Sequence, residues 1–433
     1  MRYSRQFNRC SFLFVLFASV FFALGGSEFS YAQNEILEPR KTAEYNYRGT
    51  KCFRFEHSPL PSWGYGDNSR KDYFYVSEPT DGPHEGRPLY VALHSAGGSG
   101  EEEFEWRKAH PDVHNIYAVP DGFYGMFPDC GKGGSPDWWY GGRKATESEI
   151  TPELAKRSSV VLEPVEKRIL AEVAWVIEKY KIDPNRVYLC GNSMGGSGTL
   201  GLGLRHGDVF AAIKANVPAG IWHAYDRLQL AENHPANEFP DPPVCLDYSA
   251  QNDSWSYGHE ALFEGMERRK YSYIAYWGNF GHENLDENVA KVNDLFNTFD
   301  WTNVRKNEAY PVFTNVSTDD RIPWPSGADG ASVGQRGAYF RWTNKTDSKV
   351  LFEMELRLAS ADELKSIIFE IPTTSQADVT LRRMQLFHID PNEQILWSFG
   401  DSSGEAVADE TGIVTIPGLT VSTESRVLTL KKR

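Results

Sequence analysis

Two rhythms of apolar and polar residues divide the chain. From Cys52 to about Asp300, short continuous apolar runs alternate with longer stretches of helical period. The runs Leu89-Tyr90-Val91-Ala92-Leu93, Ile116-Tyr117-Ala118-Val119-Pro120, Val187-Tyr188-Leu189-Cys190, Ala211-Ala212-Ile213-Lys214-Ala215, Val244-Cys245-Leu246 and Tyr273-Ile274-Ala275-Tyr276-Trp277 are of the first kind. Between Val160 and Tyr180, the residues Val161, Leu162, Val165, Ile169, Val173, Val176 and Ile177 recur at helical spacing and predict an amphipathic helix. Buried strands alternating with helices predict an α/β fold, a doubly wound, mostly parallel sheet covered on both faces.

After about Trp301 the rhythm changes. Strand-like runs occupy 338–342, 350–358, 367–371, 379–387, 395–397, 413–416 and 427–430, with turn signals such as Pro391-Asn392 and Pro417-Gly418 between them. Short strands separated by polar turns predict a C-terminal antiparallel β-sandwich. The one helical stretch expected there is 361–365. The stretch 319–337 is rich in Gly, Pro, Asp and Ser and predicts a loop or linker. There is no internal repeat.

The first 32 residues follow neither rhythm. Arg2, Arg5 and Arg9 precede an apolar run from Phe12 to Leu24, and Ser30-Tyr31-Ala32 ends the segment with small residues at alternate positions. This is the pattern of a cleavable secretory signal peptide, with cleavage expected after Ala32. The run is short for a membrane span of about 20 residues, so no membrane attachment is expected after cleavage. The predicted organisation is therefore signal peptide 1–32, catalytic domain 33–302 and β-sandwich accessory domain 303–433, in a secreted or periplasmic protein. Four cysteines, Cys52, Cys130, Cys190 and Cys245, lie beyond the signal. An oxidising compartment permits disulfides among them, though Cys190 and Cys245 sit in strand-like apolar runs and read equally as buried thiols.

Charge narrows the class of partner. Lys and Arg total 45 against 59 Asp and Glu, a net charge of −14. Loss of Arg2, Arg5, Arg9 and Glu28 with the signal takes it to −16. Phosphate binding needs a surplus of cations, so nucleic acid is excluded as a partner. No Cys/His spacing suggests a metal and no cofactor motif is present, so neither is expected.

The chemistry is carried by Gly191-Asn192-Ser193-Met194-Gly195-Gly196, a G-x-S-x-G match. A second match, Gly400-Asp401-Ser402-Ser403-Gly404, lies among polar residues and reads as a turn. Ser193 differs in context, because it follows a buried strand and precedes Leu200-Gly201-Leu202-Gly203-Leu204, a packed helix candidate. Strand, sharp turn and helix are the setting of a nucleophile elbow. Such a serine needs an acid and a histidine later in the chain, each after a strand. Asp253, in the polar loop beyond 244–246, is the expected acid, with Asp247 second. His282, after Gly281 beyond the run 273–277, is the expected base, with His223 and His259 as competitors. The expected oxyanion donors are the N–H of Met194 and that of Ser95 or Ala96 in His94-Ser95-Ala96-Gly97-Gly98, with His94 bracing the loop. Trp138, Trp139, Tyr140 and Trp255 are the expected substrate-contacting rings. Arg143 reads as a solvated cation.

The stretch Ile182-Asp183-Pro184-Asn185-Arg186-Val187-Tyr188-Leu189-Cys190-Gly191-Asn192-Ser193-Met194-Gly195-Gly196, continued by His206-Gly207-Asp208-Val209-Phe210-Ala211-Ala212, resembles the α/β-hydrolase superfamily. Within it, the likeness is to secreted esterases of the polyhydroxybutyrate depolymerase and feruloyl esterase type. It extends over roughly residues 85–295. The resemblance implies the triad Ser193, Asp253 and His282 and an ester substrate, plant and microbial polymers among the candidates. One departure is Ser95, where these families usually carry Gly after the loop histidine. A serine peptidase of the prolyl-oligopeptidase kind uses a similar triad, but commonly places its β-domain first. A third reading is a catalytically silent hydrolase fold whose β-module binds polysaccharide or the cell surface. Nothing in the sequence names a partner for that module.

Overall fold

The computed structural model describes residues 36–433 apart from 48, 68, 110–115, 131–138, 140–160, 233–238, 283–297, 325–332 and 365–368. The expected signal peptide lies outside the described residues, as do Trp138, Tyr140 and Arg143.

The predicted strand runs assemble one sheet. In chain order its strands are β1 Arg40–Tyr47, β2 Thr50–His57, β3 Asp72–Ser77, β4 Leu89–Leu93, β5 Tyr124–Asp129, β6 Val187–Asn192, β7 Ala212–Asn216, β8 Val244–Ala250 and β9 Tyr273–Gly278; after β10 (Tyr310–Thr314), which belongs elsewhere, comes the short β11 Gly334–Arg336. They lie in the order β1-β2-β3-β5-β4-β6-β7-β8-β9-β11. The block β5-β4-β6-β7-β8-β9 is parallel throughout. The flanking strands β1, β2 and β3 on one side, and β11 on the other, pair antiparallel. The mostly parallel α/β sheet is therefore as expected.

Two parts of the pattern read differently in the structure. The antiparallel β1–β3 were not foreseen, because β1 alternates exposed and half-buried residues around charged side chains. The run 116–120 is not a strand. Ile116 and Tyr117 form a buried turn, and the strand is Tyr124-Gly125-Met126-Phe127-Pro128-Asp129. Gly125 and Pro128 have low strand propensity and hide it. The apolar run lies against this strand instead, for a Cβ on Gly125 would stand 2.6 Å from Val119 Cγ2.

The helix predicted before β6 is observed as α2, Pro164–Tyr180, which follows α1, Gly100–Ala109. Glu163 and Glu166 close a reciprocal capping box at its start, Pro164 occupies the first turn, and Lys181 ends it in the left-handed region. Its face Val165, Ile169, Val173 and Val176 packs on Leu89, Val91, Val187, Leu189, Ile213 and Cys245 of the sheet. Short α3 (Met194–Gly198), prolonged by a π turn over Thr199–Gly203, then α4 (Ile221–Arg227) and α5 (His259–Arg268) complete the described helices on that face.

Successive strand residues point to opposite sides, so Tyr90, Ala92, Tyr188, Cys190, Ala212, Leu246, Tyr248 and Tyr276 line the other face. These residues share one apolar cluster with the C-terminal strands, through Tyr310, Val312, Phe340, Phe352, Leu356, Val379, Leu381, Ile416 and Leu430. The C-terminal strands form two antiparallel sheets. One orders β10, β14 (Thr374–Arg382) and β17 (Thr415–Ser422); the other orders β12 (Phe340–Asp347), β13 (Leu351–Leu358), β18 (Arg426–Lys432), β15 (Gln394–Phe399) and β16 (Ser402–Val407). Ser402, expected in a turn, opens β16 opposite Phe399. The run 367–371 falls partly outside the described residues, and its described part is not strand. Residues Glu35–Arg433 form one compact unit.

Polar contacts fasten the C-terminal strands to the sheet. The Tyr188 hydroxyl donates to Val304 O at 2.8 Å and that of Tyr310 to Pro242 O at 2.6 Å. The Arg383 guanidinium, nearly buried, donates to the carbonyls of Ala211, Gly207 and Phe210 at 3.0, 3.1 and 3.1 Å. A buried acceptor left unpaired costs about 1–3 kcal/mol, so Arg383→Met is expected to lower unfolding free energy by about 3 kcal/mol or more. Urea denaturation, with unchanged slope, measures it.

All four described cysteines are buried, and none is joined in a disulfide. Among the described residues no helix is long and apolar enough to cross a membrane.

Candidate active site

The site begins with the backbone. Strand β6 ends in a sharp turn at Ser193, whose φ of 56° and ψ of −116° lie outside the regions open to ordinary residues. Such strain costs of order 1–3 kcal/mol and persists only where the surroundings impose it. Here Ser193 N–H donates to Asn216 O at 3.0 Å, and Ser197 N–H to Ser193 O at 2.9 Å. The glycines of the motif are steric necessities. A Cβ on Gly191 would stand 2.3 Å from the Gly195 carbonyl carbon, and one on Gly195 would stand 1.8 Å from Leu93 O. The turn lifts Ser193 Oγ at the C-terminal edge of the parallel strands, where ligands bind in sheets of this kind.

The two loops expected to supply partners converge on it. His282 Nε2 lies 2.7 Å from Ser193 Oγ, and His282 Nδ1 lies 2.7 Å from Asp253 Oδ2. With a neutral imidazole, Ser193 O–H donates to Nε2 and Nδ1–H donates to the carboxylate. The Asp253 side chain is 2% exposed and that of His282 34%. The second carboxylate oxygen of Asp253 accepts from Trp255 N–H at 2.9 Å. Gly281, at a φ of 62°, donates its N–H to Asn252 Oδ1 at 2.9 Å, joining the base loop to the acid loop.

The competitors lie elsewhere. His223 is buried on α4. Asp247 and His259 are buried and pair with each other at 2.9 Å.

Met194 is the first residue of α3, so its N–H has no partner within the helix. The loop carrying Ser95 and Ala96 is pinned from several sides. His94 is fully buried; its Nδ1–H donates to Ser95 O at 2.8 Å and its Nε2 accepts from Cys130 N–H at 3.2 Å. Burial holds the imidazole below its ordinary pKa, consistent with a neutral brace rather than a base. Ser95 uses its hydroxyl to reach the elbow. It donates to Asn192 O at 3.0 Å, accepts from Asn192 Nδ2 at 3.2 Å, and lies 3.0 Å from the Tyr117 hydroxyl. A glycine at this place makes none of these bonds, so the departure at Ser95 fastens the loop to the residue before Ser193. Glu103 of α1 faces the Gly98 end of the loop, and burial pushes its carboxyl up to about 7.

The expected substrate rings divide. Trp255 is partly buried and stands 6.4 Å from the His282 ring. Trp139, expected to face substrate, is instead fully buried. Its indole N–H donates to His94 O at 2.9 Å and its ring packs edge-on against His94 at 4.8 Å. It is a loop brace, because the small Gly198 opposite leaves room for its ring and nothing larger: a Cβ there would stand 2.3 Å from Trp139 Cβ. Tyr117 and Asn192 were not foreseen as site residues. Tyr117 was hidden in the run read as a strand. Among the described residues, no group of three or more His, Cys, Asp or Glu side chains is arranged to hold a metal ion.

Residues 167–260, from α2 through the elbow to the start of α5, match the model of the prolyl oligopeptidase family. Together with the strand order and the elbow, this decides the architecture. The fold is that of an α/β-hydrolase. Solved structures similar to this chain include an S-formylglutathione hydrolase from Agrobacterium tumefaciens, with 16% identity, 57% of this chain and 93% of that chain covered, and a TM-score of 0.38. A ferulic acid esterase from Anaeromyces mucronatus has 15% identity, 59% and 87% coverage, and a TM-score of 0.33. An acetyl xylan esterase from Thermoanaerobacterium has 13% identity, 61% and 87% coverage, and a TM-score of 0.38. Among curated proteins, none matches the sequence significantly.

Proposed function

We propose that the protein is a serine hydrolase of carboxylic esters, with Ser193 as nucleophile, His282 as general base and acid, and Asp253 as its orienting carboxylate. The observation that carries this reading is the unbroken hydrogen-bonded path from Ser193 Oγ through His282 to Asp253 on a strained elbow. As Oγ attacks the acyl carbon, its proton passes to His282 Nε2, and Asp253 stabilises the imidazolium that forms. The carbonyl oxygen becomes an oxyanion, for which the N–H of Met194 and of Ser95 or Ala96 are the candidate donors. One such donor is worth about 2.7–4 kcal/mol in the transition state. Collapse of the tetrahedral species breaks the bond to the alcohol, which leaves with the proton from His282. Water, deprotonated by His282, then attacks the acyl-enzyme, releasing the acid and restoring the Ser193 hydroxyl. With the leader at 1–32 removed, the enzyme acts outside the cytoplasm, and Trp255 lines its substrate.

The match of residues 167–260 to the prolyl oligopeptidase family favours a second reading, a serine peptidase with the same triad. A fluorophosphonate probe is expected to label wild type on Ser193, identified by peptide mass spectrometry. A panel of aryl, acetyl and feruloyl esters set against proline-containing peptides then separates the two readings. Ester turnover well above peptide turnover is the expected result. Peptide turnover above ester turnover replaces the esterase by the peptidase, and an unlabelled Ser193 removes both.

A further inference from the structure

A second Ser/Asp/His group adjoins the turn that carries Asp253. Asp247 and Ser249 point from β8, and His259 from the start of α5; each is at most 1% exposed. It resembles a triad in composition only. In a triad, the serine and the carboxylate address different ring nitrogens. Here both face the same one, Asp247 Oδ2 at 2.9 Å and Ser249 Oγ at 2.8 Å from His259 Nε2. No solvent reaches them, so the group has no route to a substrate.

Its contacts lead instead to the acid loop. His259 Nδ1–H donates to Ser256 O at 2.5 Å. A carbonyl oxygen only accepts, so the proton on Nδ1 is committed to Ser256 O, and Nε2 is the nitrogen that faces Asp247 and Ser249. Asp247 Oδ2 also accepts from the Tyr273 hydroxyl at 2.5 Å, and Oδ1 from Ser249 Oγ–H at 3.2 Å. Ser256 in turn holds Asp253. Its hydroxyl donates to Asp253 O at 2.8 Å, and its N–H donates to the same oxygen at 3.1 Å.

The remaining contact comes from far along the chain. Trp324, in the segment between β10 and β11, stacks on His259 with ring centroids 4.9 Å apart and planes at 22°. Its indole N–H donates to Ser256 Oγ at 3.0 Å. Trp324 is 6% exposed and packs with Phe263, Ala275 and Trp277. The stack fixes the plane of the His259 ring, and an N–H aimed at Ser256 Oγ directs that hydroxyl's own proton toward Asp253 O. The turn bearing Asp253 is thus gripped on its carbonyl side by three groups outside the triad.

We propose that Trp324 and His259 are positioning residues for the triad, holding the turn 253–256 so that Asp253 presents Oδ2 to His282. This rests on the serine hydrolase reading above. The described contacts of Trp324 reach His259, Phe263, Trp277 and Ser256, none of them a triad side chain, so its effect passes through Ser256. Misplacing a catalytic group by about 1 Å costs up to about 100-fold in rate.

The test uses Trp324→Phe, which keeps a stacking ring and removes the N–H, and Ser256→Ala, which removes the hydroxyl on which it acts. Each full-length variant and the double variant are compared with wild type by the rate of fluorophosphonate labelling at Ser193, by kcat and KM on the best ester, and by melting temperature. Each single variant is expected to lose about 10-fold in labelling rate and kcat, with KM unchanged. The double variant is expected to lose no more than the worse single one, because both act on one contact. Conversion of Trp324 to Ala, which removes the stack as well, is expected to lose more. Labelling and kcat within twofold of wild type in the folded single variants, or losses that multiply in the double variant, would overturn the proposal while leaving the hydrolase reading in place. A wild type that the probe does not label overturns the hydrolase reading and the proposal with it. Should Trp324→Phe not fold, the Ser256→Ala labelling rate decides alone.

Discussion

Ser193→Ala is expected to lower kcat by about a million-fold while leaving the melting temperature within a few degrees. On the proposed mechanism the loss is large because the hydroxyl is the atom that bonds to the acyl carbon, and no neighbour replaces it. The fold tolerates the change because the strain at Ser193 belongs to the backbone, and Ala meets the same φ of 56° that Ser meets. Asp253→Asn supplies the graded counterpart. The amide preserves shape, but its NH₂ turned toward His282 Nδ1 favours the wrong tautomer, for an expected loss of about 10⁴-fold. A double variant is expected to be no worse than Ser193→Ala alone, since the three residues act as a unit. Steady-state ester hydrolysis, with each variant purified free of wild type, measures all three. A Ser193→Ala enzyme retaining full turnover ends the assignment.

The second large effect concerns the β-rich part. A chain ending at residue 302 is expected to lack a cooperative unfolding transition and to accumulate as insoluble protein. The sheet face bearing Tyr90, Tyr188, Leu246, Tyr248 and Tyr276 is part of the same cluster as Tyr310, Phe340, Leu356, Val379 and Leu430. Exposing a fully buried large side chain costs about 1.5–3 kcal/mol, so the five on this face together are comparable to the whole stability of an ordinary domain, about 5–15 kcal/mol. The same cut strips the Arg383 guanidinium from three carbonyls and Arg382 from Asp241, with which it pairs at 2.7 Å. Near-ultraviolet circular dichroism and calorimetry on refolded material decide the matter. A soluble 36–302 fragment with a sharp melting transition contradicts the expectation.

The parts of this molecule that the sequence made legible are those that local rules determine. The parallel strands read clearly because burial on both faces gives continuous apolar runs. The elbow read clearly because Gly191 and Gly195 have no substitutes at their contact distances. Asp253 and His282 followed from the order in which this architecture places its acid and base after successive strands. What local pattern hid was long-range pairing. Strand β5 escaped because Gly125 is there to admit Ser77 and Val119, whose approach is a tertiary fact. Trp139 looked like a substrate ring because nothing near it in sequence announces the His94 carbonyl it binds. Asp247 and His259, weighed as triad members, belong to a neighbouring group whose contact with Trp324 comes from far along the chain. Tyr90, Tyr188, Tyr248 and Tyr276, all on one side of their strands, carried a further signal. Tyr bodies on one side of several strands suit a partner offering carbonyls, as Val304 does to Tyr188.

One feature bears on how the molecule is made. Strand β18, Arg426–Lys432, is not an edge strand: it pairs with β13 on one side and β15 on the other, at the centre of its five-stranded sheet. That sheet contributes to the cluster lining the face of β4, β6, β8 and β9. During synthesis the nucleophile elbow therefore leaves the ribosome more than two hundred residues before the strand that completes the core beneath it. Domains tend to fold as units as they emerge, and this unit is unfinished until residue 432 is added. The proposed site is therefore expected to form only after β18 has emerged, which limited proteolysis of ribosome-bound chains stalled before and after residue 432 checks.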